Sequence, residues 1–99
     1  MEMTEIIKRI SFIRTRAGLS ARELSLRIGK NENYINRLEY KKDFNPTIKT
    51  LNDIIVACGS SCEEFFYYDI NEYEKDKEII ALLKNIPRSK KDSIENLLK

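Results

Sequence analysis

The sequence predicts an all-α chain, with five helices packed into about the first 66 residues and a helical hairpin behind them. Three observations carry that prediction. Apolar residues recur at spacings of three and four, and no stretch alternates apolar with polar as a half-buried strand does. Helix-start and helix-stop residues punctuate the chain at short intervals. A length of 99 residues suits one small domain with a terminal appendage. The expected boundaries are residues 1–68 for the domain and 69–99 for the extension.

Each element has its own justification. Thr4 is placed to cap a first helix whose inner face is Ile6, Ile10, Ile13 and Ala17, with Gly18 ending it. Ser20-Ala-Arg-Glu23 has the capping-box pattern and opens a second helix, with Leu24 and Ile28 inside and Gly29 as the stop. Asn31 is the expected cap of a third helix reaching Glu39 or Tyr40. The loop KKDFNP then breaks the pattern at Pro46. Thr47 starts a fourth helix with Ile48, Leu51, Ile54, Ile55 and Cys58 inward. Ser61-Cys-Glu-Glu64 is a second capping box, opening a short helix that ends at Phe65 and Phe66.

Tyr67 to Ile70 reads as a link. Asn71 is the expected cap of a sixth helix through Lys84, with Ile79, Ile80, Leu82, Leu83 and Ile86 as its apolar set. Pro87 breaks it, and Ser89-Lys-Lys-Asp92 resembles a capping box for a last helix carrying Ile94, Leu97 and Leu98. Two such short helices are marginal alone in water. Their apolar residues need a partner, either the first domain or a second chain.

Composition narrows the function. With 41% hydrophobic and 34% charged residues, the chain can form a small core under a soluble surface. No apolar run is long enough to span a bilayer, and MEMTEII has no signal pattern, so a cytoplasmic protein without membrane contact is expected. Cys58 and Cys62 are the only cysteines, and histidine is absent. Two thiols fall short of a metal site, and neither their i, i+4 spacing nor a reducing compartment favours a disulfide. Cys58 is expected in the core and Cys62 near a helix start. No metal and no cofactor are expected. Without histidine or a Gly-rich phosphate loop, an enzyme is disfavoured.

Charge is unevenly spread. Residues 1–50 carry 11 Lys and Arg against 6 Asp and Glu, whereas residues 51–99 carry 7 against 10. A basic front half suits a polyanionic partner.

The most informative stretch is KNENYINRLEY, Lys30 to Tyr40, which crowds amides and charges around only Ile35 and Leu38. It follows the second helix after a turn containing Gly29. Two short helices on such a turn form a helix-turn-helix unit, whose second helix enters the DNA major groove. Leu24, Ile28, Ile35 and Leu38 face the core in this frame, and Ser25 is small where the helices cross. The wheel arithmetic of about 100° per residue puts Leu38 and Tyr34 on or beside the face of Ile35. Asn33, Asn36, Arg37 and Tyr40 gather on the opposite side. Asn suits adenine N6/N7, Arg suits guanine O6/N7, and Glu32 in the first turn can accept from cytosine N4. Glu39 leans toward the core, where a carboxylate needs a cation.

LSARELSLRIGKNENYINRLE, with Pro46-Thr-Ile-Lys-Thr-Leu51 and Ser60-Ser-Cys-Glu-Glu-Phe65, resembles the Cro/Xre-like family of phage and bacterial repressors across roughly residues 5–66. Ala21, Lys30 and the segment from Tyr40 to Phe44 depart from the usual pattern. The resemblance implies a five-helix phage-repressor-like DNA-binding domain, with a recognition helix at about residues 31–39. It also implies that Arg14 on the first helix pairs with Glu39 as a structural ion pair. The base-contact candidates are Glu32, Asn33, Asn36, Arg37 and Tyr40, and the phosphate candidates are Arg22, Lys30, Lys41 and Lys42. Arg16, near Arg14, is expected to matter far less for stability.

The expected function is sequence-specific binding of double-stranded DNA as a transcriptional regulator of the repressor kind. A homodimer through the C-terminal extension would place two recognition helices on half-sites roughly 34 Å apart. The alternative is a protein-interaction module of the same fold, such as an antitoxin-like partner protein. Modest positive charge, Glu32 and Asp43 favour that alternative.

Overall fold

Side-chain caps and glycine turns decide where the helices start and stop. The computed structural model describes residues 1–41 and 44–84, and among these every regular element is helical and there is no strand. The elements are α1 (Met3–Arg16), α2 (Ala21–Arg27), α3 (Tyr34–Asn36) running into a π turn (Arg37–Lys41), α4 (Ile48–Ala57), α5 (Cys62–Phe65), a 3₁₀ turn (Ile70–Glu72) and α6 (Tyr73–Lys84). Two compact units divide between Tyr67 and Tyr68.

The first unit holds most of the buried apolar side chains. Ile7, Ile10 and Ile13 of α1 are buried, as are Leu24, Ile35, Leu38, Ile54, Ile55, Cys58 and Phe65 from the later helices. Burying one such side chain contributes about 1.5–3 kcal/mol. Helices of 14 residues and fewer are marginal in isolation, so this shared core, rather than intrinsic propensity, holds them.

Several helix faces differ from the sequence expectation. Glu2, not Thr4, stands at the N-cap of α1, and its side chain makes no capping bond. Thr4 lies inside the first turn and is exposed. Ala17, expected inward, is the exposed C-cap. Arg9 takes a place on the buried face instead. Its Nη1 donates to Phe65 O at 2.7 Å and also to Tyr67 O, satisfying carbonyls at the end of α5. That is why a guanidinium is tolerated there.

On α4, Thr47 accepts from the Thr50 N–H at 3.1 Å, as a cap should. Ile48, expected inward, is 89% exposed, because it is the first helical residue and the inward face begins two residues later with buried Thr50. On α5, Ser61 accepts from the Glu64 N–H. The Glu64 carboxylate is taken up by Arg16, at 2.5 and 3.1 Å, and by the Ser60 hydroxyl at 2.5 Å. Glu64 has 5% of its side chain exposed, so Arg16 anchors a buried charge, a partner that the sequence pattern does not reveal.

The second unit opens with a cap set two residues early. Asp69 Oδ1 accepts from the Asn71 N–H at 3.1 Å and starts the 3₁₀ turn, so α6 begins at Tyr73 rather than after Asn71. Ile79, Ile80, Leu82 and Leu83 of α6 are exposed. The last expected helix, with Ile94, Leu97 and Leu98, lies outside the described residues. No helix among those described is long and apolar enough to cross a membrane.

Candidate nucleic-acid interface

The site is built from α2 upward. Ser20 Oγ accepts from the Glu23 N–H at 3.0 Å, and Glu23 Oε1 accepts from the Ser20 N–H at 3.2 Å, completing the capping box. Those bonds, the backbone one first, hold the Glu23 carboxyl below its ordinary range. The helix ends in a Schellman turn, with the Lys30 N–H on Ser25 O at 2.9 Å and the Gly29 N–H on Leu26 O at 3.1 Å. Gly29 has φ +74°, a left-handed conformation that a side chain would strain.

Ser25 does more than leave room at the crossing. It is fully buried, donates to Ala21 O at 2.8 Å and accepts from the Ile35 N–H at 3.0 Å. The second of these satisfies an orphan N–H in the first turn of α3. Asn31 caps the approach, accepting from the Asn33 N–H at 2.9 Å through Oδ1, while its carbonyl takes the Tyr34 N–H at 3.0 Å. The helical element after α2 therefore runs from Tyr34 to Lys41, where the sequence places it at about residues 31–39. Asn33 sits at the N-cap of α3, and its amide makes no capping bond.

From Arg37 the helix widens into a π turn, a feature frequent at functional sites. A wider turn advances each side chain by less than an α-helical step. Leu38 and Glu39 are both buried, side by side in sequence, on either flank of the inward direction set by Ile35. Arg14 and Glu39 are brought together. Arg14 Nε lies 2.8 Å from Glu39 Oε2 and Nη2 lies 2.9 Å from Oε1, while Nη1 donates to Leu19 O at 3.0 Å. Ser11 Oγ adds a 2.6 Å bond to the same carboxylate. Hydrogen bonding to Glu39 makes the Arg14 guanidinium hold its proton more tightly than usual.

With that side tied down, Glu32, Asn33, Asn36, Arg37 and Tyr40 are all exposed, and so are Arg22, Lys30 and Lys41. Lys42 lies outside the described residues. Two candidates of different expected roles meet, since Arg22 Nε is 3.1 Å from Glu32 Oε2. Both are more than half exposed, and such a surface pair opens at little cost when a phosphate competes.

Aromatic residues line the remainder. The rings of Tyr34 and Phe44 lie 5.2 Å apart, the Arg37 guanidinium sits 5.2 Å over Phe44, and Lys30 Nζ sits 5.5 Å over Tyr34. Burial pushes the Tyr34 hydroxyl up, while its hydrogen bond with Thr50 pulls the other way. Phe44 has no role among the sequence-based site candidates, although a lone aromatic in the polar loop KKDFNP is a readable signal. Ser11, Arg9 and the Arg16–Glu64 pair offered no comparable signal, because only the packing of distant helices creates them.

The cysteines lie apart from this surface. Both are free, and burial pushes the Cys58 thiol up while Cys62 is exposed at the start of α5. No group of residues able to hold a metal ion occurs among those described.

Comparison with protein families matches a helix-turn-helix model to residues 10–65. Neither a curated protein nor a solved structure matches the chain. The matched segment runs from the middle of α1 to the end of α5, contains α2, α3 and the π turn, and covers more than half of the sequence. The chain belongs to the Cro/Xre-like helix-turn-helix family of DNA-binding regulators.

Proposed function

We propose that this chain binds duplex DNA sequence-specifically and acts as a transcriptional repressor in the cytoplasm, with the element from Tyr34 to Lys41 in the major groove. One observation carries the reading. Asn33, Asn36 and Arg37 stand exposed on a short helical element and its N-cap, whose opposite side is fixed by Ile35, Leu38 and Glu39. Asn33 and Asn36 suit adenine edges, and Arg37 suits guanine. Glu32 accepts from cytosine, and Tyr40 reaches a base edge from the far end of the element. Arg22, Lys30, Lys41 and Lys42 neutralise phosphates and set the register. Arg14 and Glu39 keep the element seated and do not touch DNA.

Two copies act together. Residues 69–99 form the dimerisation extension beyond the DNA-binding domain of residues 1–68. The exposed Ile79, Ile80, Leu82 and Leu83 support this assignment. Truncation after Asp69 should abolish the dimer in light scattering and weaken binding to a palindromic site. A shortened protein of unchanged mass state and affinity removes the assignment.

Selection from random duplexes, followed by affinity against salt, tests the function. A two-fold-related enriched site and a steep log–log salt slope are expected. The Arg22–Glu32 pair favours a second reading, a protein-interaction module such as an antitoxin-like partner protein, because it covers a phosphate ligand with an acid. No enriched site and a flat salt response would select that reading.

A further inference from the structure

We infer that Phe44 is a positioning residue for Arg37, holding its guanidinium ready for a guanine edge and so setting specificity at that base pair. The inference rests on the DNA-binding reading above, and it concerns a residue that the base-contact assignments leave out. The Arg37 guanidinium lies 5.2 Å from the centre of the Phe44 ring, within cation–π range. Phe44 in turn lies against the Tyr34 ring, with centroids 5.2 Å apart and planes tilted by 56°. Tyr34 is half-buried and hydrogen-bonds Thr50, which is buried in the first turns of α4. The shelf under Arg37 is therefore rooted in the core through α4, although Phe44 itself sits in a loop.

The physical consequence concerns ordering. An arginine on a helix surface loses several rotamers when it docks bidentately on a base, and this loss opposes binding. A guanidinium already held over a rooted ring has lost much of that freedom in the free protein. Lys30, at 5.5 Å over the Tyr34 ring, extends the same row toward the turn before α3. A phosphate ligand and a base ligand thus share one aromatic support. A leucine at position 44 would fill similar space without a ring face, whereas tryptophan would keep the face.

The test uses the full chain with Phe44→Leu and Phe44→Trp, alone and combined with Arg37→Ala. In the free protein, the Arg37 Nε–H order parameter should fall in Phe44→Leu and recover in Phe44→Trp, at unchanged fold by circular dichroism. On the selected duplex, Phe44→Leu should weaken binding by roughly 3- to 10-fold. It should have no effect on a duplex altered at the base pair read by Arg37, nor in the Arg37→Ala background. Equal loss on every duplex, or a loss that persists without Arg37, overturns the inference while leaving the DNA-binding reading intact. An Arg37 side chain no more mobile in Phe44→Leu overturns it without reference to DNA. Absence of any preferred site in the parent protein instead removes the reading on which the inference rests.

Discussion

Replacing Arg14 by methionine should destabilise the first unit by about 3 kcal/mol, and the structure sets both the sign and the size. Glu39 has 4% of its side chain exposed, and Arg14 has 17%. The carboxylate accepts two bonds from Arg14 and one from Ser11, so the substitution removes two of three donors while the charge stays buried. Stranding one member of a buried pair costs about 3–5 kcal/mol. The lower end applies because Arg14 is partly open to water and Ser11 remains. In a domain of this size, about 3 kcal/mol lowers the melting temperature by roughly 12–24 °C. Urea denaturation followed by circular dichroism measures the loss directly. Arg14→Met with Glu39→Leu should recover most of it, since an apolar pair of similar volume leaves no uncompensated charge. A single variant within about 1 kcal/mol of the parent, or a double variant no better than Arg14→Met, would refute the argument.

The same reasoning applied to Arg16→Ala predicts a loss of about 1–3 kcal/mol in the same assay, smaller because Arg16 is 37% exposed and Ser60 still serves Glu64. A loss indistinguishable from zero would return Arg16 to the surface. Asn33→Ala and Arg37→Ala should each weaken the selected site by roughly 1–3 kcal/mol and relax preference at one or two positions. Lys41→Ala should weaken all duplexes alike and flatten the salt slope, so equal sequence-independent losses for Asn33 and Lys41 would contradict the groove assignment. Glu23→Ala tests the capping box through pH. Because the folded state holds the Glu23 carboxyl below its unfolded value, its stabilisation is present above the unfolded value and lost as pH falls through the folded one. The gap between parent and variant should accordingly close on acidification, and a gap constant with pH would place the effect elsewhere.

Local chemistry explains what the sequence determined by itself. The Ser20–Glu23 box, Thr47, Gly29 and the 3.6-residue periodicity act within a few positions of themselves, so the order and approximate bounds of the described helices followed from them. The exposed amide–arginine face was equally legible, because Ile35 and Leu38 fix the inward direction of a short helix. Tertiary structure decided the remainder, where residues far apart in sequence share one polar group. Arg9 is buried because the carbonyls of Phe65 and Tyr67 need donors, and Glu64 leaves the simple capping pattern because Arg16 reaches it across 48 positions. Ile48 shows the same division: its apolar character suggested a core residue, but its place in the first turn of α4 left it in water, since burial depends on what packs opposite and not on the side chain alone.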